Sequence, residues 1–141
     1  MNCNYRGEMV LIADEIQLSI RFDKQMTSFF EKQTKLNLAS AKVVEACGKV
    51  WADEAKSITR IEDHVDTGLY INSIGYSTGE PSNPLYELET QTNRSILTIG
   101  ADVEYAEALE KRFSIFARAL DIAKPRMEKV SATQIQKIMR V

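Results

Sequence analysis

Residues 15–23, Glu15-Ile16-Gln17-Leu18-Ser19-Ile20-Arg21-Phe22-Asp23, alternate without a break between polar and apolar side chains. A period of two, with isoleucine recurring on the apolar side, is the pattern of a strand that buries one face. Directly after it the period changes. From Asp23, a residue suited to capping a helix, apolar residues recur at three- and four-residue steps: Phe29 or Phe30, Leu36, Val43 or Val44, Cys47, Trp51, Ala55 and Ile58. No proline interrupts them. The switch predicts one long helix from about Lys24 to Ser57, continuous or broken near Asn37. Cys47 and Trp51 fall on its apolar stripe and read as core, where thiols and indoles usually pack. Met9 to Ala13 either extends the first strand or forms a short one before it.

Beyond the helix, Thr59 to Gly68 is polar and ends it, and Leu69 to Ser77 reads as extended. Two prolines keep Gly79 to Pro84 out of regular structure, which makes this loop a candidate mobile element. Leu85 to Thr90 and Ser95 to Gly100 flank Gln91-Thr92-Asn93-Arg94, the pattern of a β-hairpin in which Asn93 can take a positive φ. From Glu104 the spacing is helical again through Tyr105, Ala108, Leu109 and Arg112. Ile115 to Ala123 continues as helix, and Pro125 either kinks it or opens a new one. Leu120, Ala123, Met127, Val130, Gln134 and Ile138 form the last stripe. This order predicts an α+β fold: a small antiparallel sheet of three to four strands packed against a long N-terminal helix and C-terminal helices.

The 141 residues, 44% apolar and 27% charged, suit a single domain spanning 1–141. A chain of this size buries roughly two-thirds of its unfolded surface and needs no metal or disulfide to hold its core. Cys3 and Cys47 form no CxxC pair; two reduced thiols are the plain reading, with a disulfide between them left open. No targeting segment is evident, and Met9 to Ala13 is too short to cross a bilayer, so synthesis and folding in a cytoplasm are expected.

The net charge of −2 conceals a polarity. Glu80 to Glu110 holds seven acids and one base, net −6, whereas Lys111 to Val141 holds eight bases and two acids, net +6. Such opposed segments suit either head-to-tail contact between copies or a basic face meeting an acidic partner. The alternative is a solvated acidic hairpin beside a solvated basic helix.

Catalytic patterns are missing one after another. His64 is the single histidine, which excludes an imidazole pair within one chain. In Glu62-Asp63-His64-Val65-Asp66 it reads as an exposed linker residue; a metal-dependent hydrolase around Asp63, His64 and Asp66 is a remote rival. No G-x-S-x-G, H-E-x-x-H, phosphate-binding loop or G-x-G-x-x-G occurs. Glu87 and Glu89 alternate on a strand, where acids usually face water. No enzymatic activity, cofactor or metal is therefore expected. The basic C-terminal helices raise a rival from another class, a small nucleic-acid-binding or regulatory protein. They lack the aromatic interleaving and helix-turn-helix spacing that such binding uses, so direct DNA contact is not expected.

Two segments resemble a known family. Asp66-Thr67-Gly68-Leu69-Tyr70-Ile71-Asn72-Ser73-Ile74 resembles the Thr-Gly-x-Leu-x-x-Ser-Ile element of the head–tail joining, or tail-completion, proteins of long-tailed bacteriophages. Ile96-Leu97-Thr98-Ile99-Gly100 followed by Tyr105-Ala106-Glu107-Ala108-Leu109-Glu110 resembles that family's strand and Tyr-Ala-x-x-apolar-Glu element. Glu54-Ala55-Lys56 before the first motif and Phe116-Ala117-Arg118-Ala119-Leu120 after the second keep the family's order, so the likeness spans roughly Val43 to the C-terminus. Tyr70 stands where the family usually carries leucine. Arg112 and Phe113 stand where it usually carries Gly-Thr, which leaves a tight turn and a continuing helix both open there.

The resemblance implies a virion protein, assembled in the bacterial cytoplasm, that forms a ring at the top of the tail. Its partners would be further copies of itself, the tail-tube protein and the head connector proteins, with no membrane contact. The motif residues Thr67, Gly68, Ser73, Ile74, Tyr105, Ala106 and Glu110 read mainly as structural: a Thr-Gly turn, a strand starting at Ser73 and Ile74, and a helix starting at Tyr105 and Ala106. Glu80, Glu87, Glu89, Lys124, Arg126 and Lys129 are the candidate subunit or partner contacts.

Overall fold

The structure, a computed structural model, describes residues 5–12, 15–22, 33–91 and 94–139. In chain order it contains β1 (Tyr5–Ile12), β2 (Glu15–Phe22), α1 (Gln33–Ile61), α2 (Leu69–Ser73), β3 (Pro84–Gln91), β4 (Arg94–Ala101), α3 (Ala106–Phe113) and α4 (Ile115–Met139). The four strands form one sheet in the order β1-β2-β4-β3, each neighbour antiparallel to the next. This is the α+β fold that the periodicity predicts. Met9 to Ile12 proves to belong to a separate strand, since Tyr5 to Ile12 pairs along its whole length with β2.

The alternation in β2 does what a period of two requires. Ile16, Leu18 and Ile20 are buried on one face, and the register sets Leu18 opposite Leu97 and Ile16 opposite Ile99 of β4. Onto that face packs α1, whose Ser40 hydroxyl lies 2.6 Å from that of Ser95 in β4; Val43, Cys47, Trp51, Ala55 and Ile58 of the helix are all buried. Its close approach is made at Gly48, where an added Cβ would stand 2.6 Å from Leu97 Cδ2. On the far side α4 runs antiparallel to α1. Cys47 Sγ lies 3.0 Å from Ser131 Oγ, and the Trp51 indole N–H donates to the Phe116 carbonyl at 3.2 Å. The Trp51 and Phe116 rings meet edge to face, with centroids 4.9 Å apart, a geometry that adds about 1 kcal/mol to their burial.

Several expectations are corrected. The long helix continues past Ser57 to Ile61 and passes through Asn37 without a break. Thr59 does not end it, because its hydroxyl donates to the Ala55 carbonyl at 2.8 Å and the side chain is fully buried. Termination comes at Asp63, in the left-handed region at φ 58. There Asp63 N–H bonds the Arg60 carbonyl and His64 N–H bonds the Thr59 carbonyl, the paired contacts of a Schellman cap. The expected start at Lys24, its cap Asp23, and Phe29 and Phe30 lie outside the described residues, as does the Thr92-Asn93 turn.

Leu69 to Ser73 is helical, not extended. A short apolar run does not distinguish the two states by period alone. Here Gly68, at φ 89, starts the turn, its carbonyl accepts the Asn72 N–H at 2.9 Å, and the Ser73 hydroxyl donates to the Leu69 carbonyl. No strand starts at Ser73 and Ile74; the next begins at Pro84, a first-residue position that proline tolerates. One helix, α4, runs through Pro125. At Arg112 and Phe113 the helix does not run on: α3 stops and Ser114, at φ 52, turns the chain into α4.

Candidate functional site

The two motif segments are remote in sequence but meet in space. Residues 64–71 form one wall of a groove of about 420 Å³, and Tyr105 and Leu109 at the start of α3 form the other. The Schellman cap places His64 in its lining. Thr67 and Gly68 turn the chain, with Thr67 Oγ1 accepting the Leu69 N–H at 3.3 Å. Tyr70, standing at the motif's leucine position, is 3% exposed; its ring stacks on Phe116 at 6.0 Å and lies 6.4 Å from that of Tyr105. The tyrosine thus fills the core beneath the turn with an aromatic stack.

Every motif residue has an architectural partner. Ser73 accepts the Asn83 N–H at 2.7 Å as well as bonding Leu69, and so ties α2 to the start of β3. Ile74 is fully buried in the core. Tyr105 caps α3, and Ala106 is fully buried, its N–H donating to the Val103 carbonyl at 3.0 Å. Glu110 does two jobs at once. Its carbonyl accepts the Ser114 N–H at 2.8 Å and closes α3. Its carboxylate accepts the N–H groups of Phe116 at 2.8 Å and Ala117 at 3.1 Å and opens α4. A carboxylate at a helix N-terminus satisfies donors that the helix leaves over and complements the helix dipole.

His64 is not the exposed linker residue expected. Its side chain is 17% exposed, its ring lies on Phe113 with centroids 3.9 Å apart, and Nε2 is 3.3 Å from Glu62 Oε1. Glu62 is in turn clamped by the two terminal guanidinium nitrogens of Arg118, one at 2.7 Å, and this bonding holds its carboxyl down at about 2. The histidine is thereby committed to a structural cluster at the junction of α1, α3 and α4. Among the described residues, no group of three His, Cys, Asp or Glu side chains could hold a metal ion. Again among them, no helix is long and apolar enough to cross a membrane.

Of the candidate contacts, Glu80, Glu87, Glu89, Lys124 and Lys129 are exposed. Arg126 is exposed too but is bonded to Glu54 of α1 at 2.5 Å. Lys111 similarly pairs with Glu107 at 3.3 Å. With Arg118 on Glu62, three of the bases behind the charge polarity are answered within the subunit. The structure does not bring Glu80, Glu87 and Glu89 to the groove. The Gly79–Pro84 loop is exposed but pinned: Asn83 Nδ2 donates to the Asp102 carbonyl at 2.9 Å, Asp102 N–H returns to the Asn83 carbonyl at 2.9 Å, and Asn72 reaches the Pro81 carbonyl.

Sequence reasoning passed over Lys56 as an anchor. It is 4% exposed on the core side of α1, and its ammonium donates to the Tyr76 carbonyl at 2.6 Å and to Thr78 Oγ1 at 3.0 Å. It also sits 3.9 Å over the Tyr76 ring, whose hydroxyl bonds Asp53. Burial pulls the ammonium down to about 8, while the Asp53 bond lifts the Tyr76 phenol to about 12. The one signal for this anchor was a lysine beside Ala55 on the apolar side of the helix.

The molecule is thus a small α+β domain whose marked groups hold its own elements together around one apolar groove. No family model, curated protein or solved structure matches the chain.

Proposed function

We propose that this protein is a structural component of a long-tailed bacteriophage particle, joining tail to head as part of a ring at the top of the tail. One observation carries the reading. The Thr67–Ile74 and Tyr105–Glu110 segments, on which the resemblance rests, line one groove and cap or staple neighbouring elements. A protein whose distinctive residues build a rigid shape is suited to docking, in which no bond is made or broken. The ring contacts between like subunits would be heterologous, each using two different patches. Lys124 and Lys129 on α4 and Glu87 and Glu89 on β3 are exposed charges of opposite sign available for them. The test is electron microscopy of lysates from the parent phage with this gene deleted. Separate DNA-filled heads and finished tails are the expected result. Intact, infectious particles would overturn the reading and put nucleic-acid binding by α4 first.

A further inference from the structure

Among the described residues, strand β3 is an edge strand of eight residues, and its register with β4 is unbroken from Pro84 opposite Ala101 to Gln91 opposite Arg94. Natural edges are blunted by bulges, lysines or internal prolines, because unpaired backbone groups invite another strand. After Pro84 this edge has none of these, and its only charges are the glutamates Glu87 and Glu89, which a base on an incoming strand could answer. Its helix-facing side also carries side chains partly open to solvent: Tyr86 and Leu88 are 45% and 37% exposed, although they stand level with the buried Ile99 and Leu97 and the Tyr86 hydroxyl is hydrogen-bonded to Glu45 of α1. The opposite edge of the sheet is β1. Because each neighbour in the order β1-β2-β4-β3 is antiparallel, β1 and β3 run in opposite directions. A second copy placed beside the first in the same orientation therefore offers its β1 antiparallel to β3.

We propose that β3 pairs with β1 of a second copy, so that the sheet continues from one subunit into the next. This rests on the ring reading above and names its contact. Charge and side-chain size select the register. Gly7 and Met9 pair with Ile20 and Leu18, so their register positions belong to the same face of the sheet as those of Tyr86 and Leu88. Setting Gly7 opposite Tyr86 places Tyr5 opposite Leu88, Arg6 opposite Glu87 and Glu8 opposite Leu85. The Tyr86 ring then has a glycine to cover, and the one base of β1 meets an acid. Sliding β1 by two residues toward fuller overlap opposes Glu8 to Glu87, and by four opposes Glu8 to Glu89. A slide of six sets the two glutamates against Val10 and Ile12. Pairing of β3 with β3 about a two-fold axis at Glu87, Leu88 or Glu89, the registers of fullest overlap, would bring glutamates face to face, which is unfavourable.

The contact is tested by mixing two chains in a Cys3→Ser background, one carrying Glu8→Cys and the other Leu85→Cys, and oxidising them. Within one subunit these strands are three strand spacings apart, about 14 Å. A disulfide needs Cα atoms within about 7 Å, so only a link between copies can form. The expected result is a disulfide-linked dimer from the mixture and none from either chain alone. Self-linking of the Leu85→Cys chain, self-linking of the Glu8→Cys chain, or no link at all would each overturn the proposal. In parallel, Arg6→Glu or Glu87→Arg should weaken self-association by about fivefold, the upper range for an exposed ion pair, and the two together should restore it. Loss without restoration overturns the register. Rings seen by microscopy without the cross-link would remove the edge contact and leave the head–tail reading standing. A failed deletion phenotype with the cross-link formed would do the reverse.

Discussion

Strands β3 and β4 are hydrogen-bonded partners of equal length, yet they live in different environments. On the helix-facing side of β4, Ser95, Leu97 and Ile99 are all buried. Opposite them on β3, Thr90, Leu88 and Tyr86 are all exposed. Alternation alone assigns a residue to a face of the sheet. Whether that face is dry depends on what lies over it, and α1 packs over β2 and β4 more than over β3. The lesson is that the same apolar pattern can encode core in one strand and an open contact surface in its neighbour.

The sharpest way to break this comparison is truncation of the covered leucine. Leu97→Ala is expected to cost roughly 3 kcal/mol in urea unfolding, since Leu97 is fully buried against α1. A loss below about 1 kcal/mol would mean that α1 does not seal β4. Next in size is Glu110→Ala. It strips the acceptor from two N–H groups at the start of α4 and should cost about 1–2 kcal/mol by the same measurement. Glu110→Gln, which keeps an acceptor oxygen, should recover part of the loss.

A pH series probes the other edge of the covered region, where Lys56 and Tyr76 join α1 to the 74–78 segment. The folded Lys56 titrates at about 8 and the unfolded one near 10.5, so between these values the unfolded chain binds more protons and stability rises with pH. Tyr76 acts oppositely: its folded value of about 12 lies above the usual 10, so its contribution is present below pH 10 and is lost as pH rises to 12. Stability should rise from about pH 8, peak at about pH 10 and then fall. Lys56→Met should abolish the rising limb; a rising limb that survives would assign it to another group. Smallest of all, Leu88→Ala on β3 should change the stability of the isolated subunit by less than about 1 kcal/mol. A loss matching that of Leu97→Ala would show the two strands to be equally covered.

Much of the fold was legible because it is written in local periods. The alternation of Glu15 to Phe22, the long stripe through Cys47 and Trp51, and the hairpin around Gln91 to Arg94 each state an element without reference to its neighbours. Leu69 to Ser73 was misread because five residues are too few to separate a period of two from one of 3.6. His64 was misread because its neighbours in sequence are charged, whereas its neighbour in space is Phe113. For the candidate site, the motif residues could be named in advance, but not their tasks. That Glu110 closes one helix and opens the next depends on Ser114 reversing the chain between them.

By itself the sequence determined the long elements and their order, the buried face of β2 and the opposite charges of the two C-terminal segments. These depend on side-chain spacing along a few turns or residues of chain. Only the tertiary structure decided that three of the basic residues are answered by Glu54, Glu62 and Glu107, that Lys56 is a buried anchor, and that β3 stands at the edge of the sheet among the described residues. Ion pairing and burial are properties of what lies across a gap in space. The packing of α1 and α4 over one part of the sheet sets those distances, and no local period carries them.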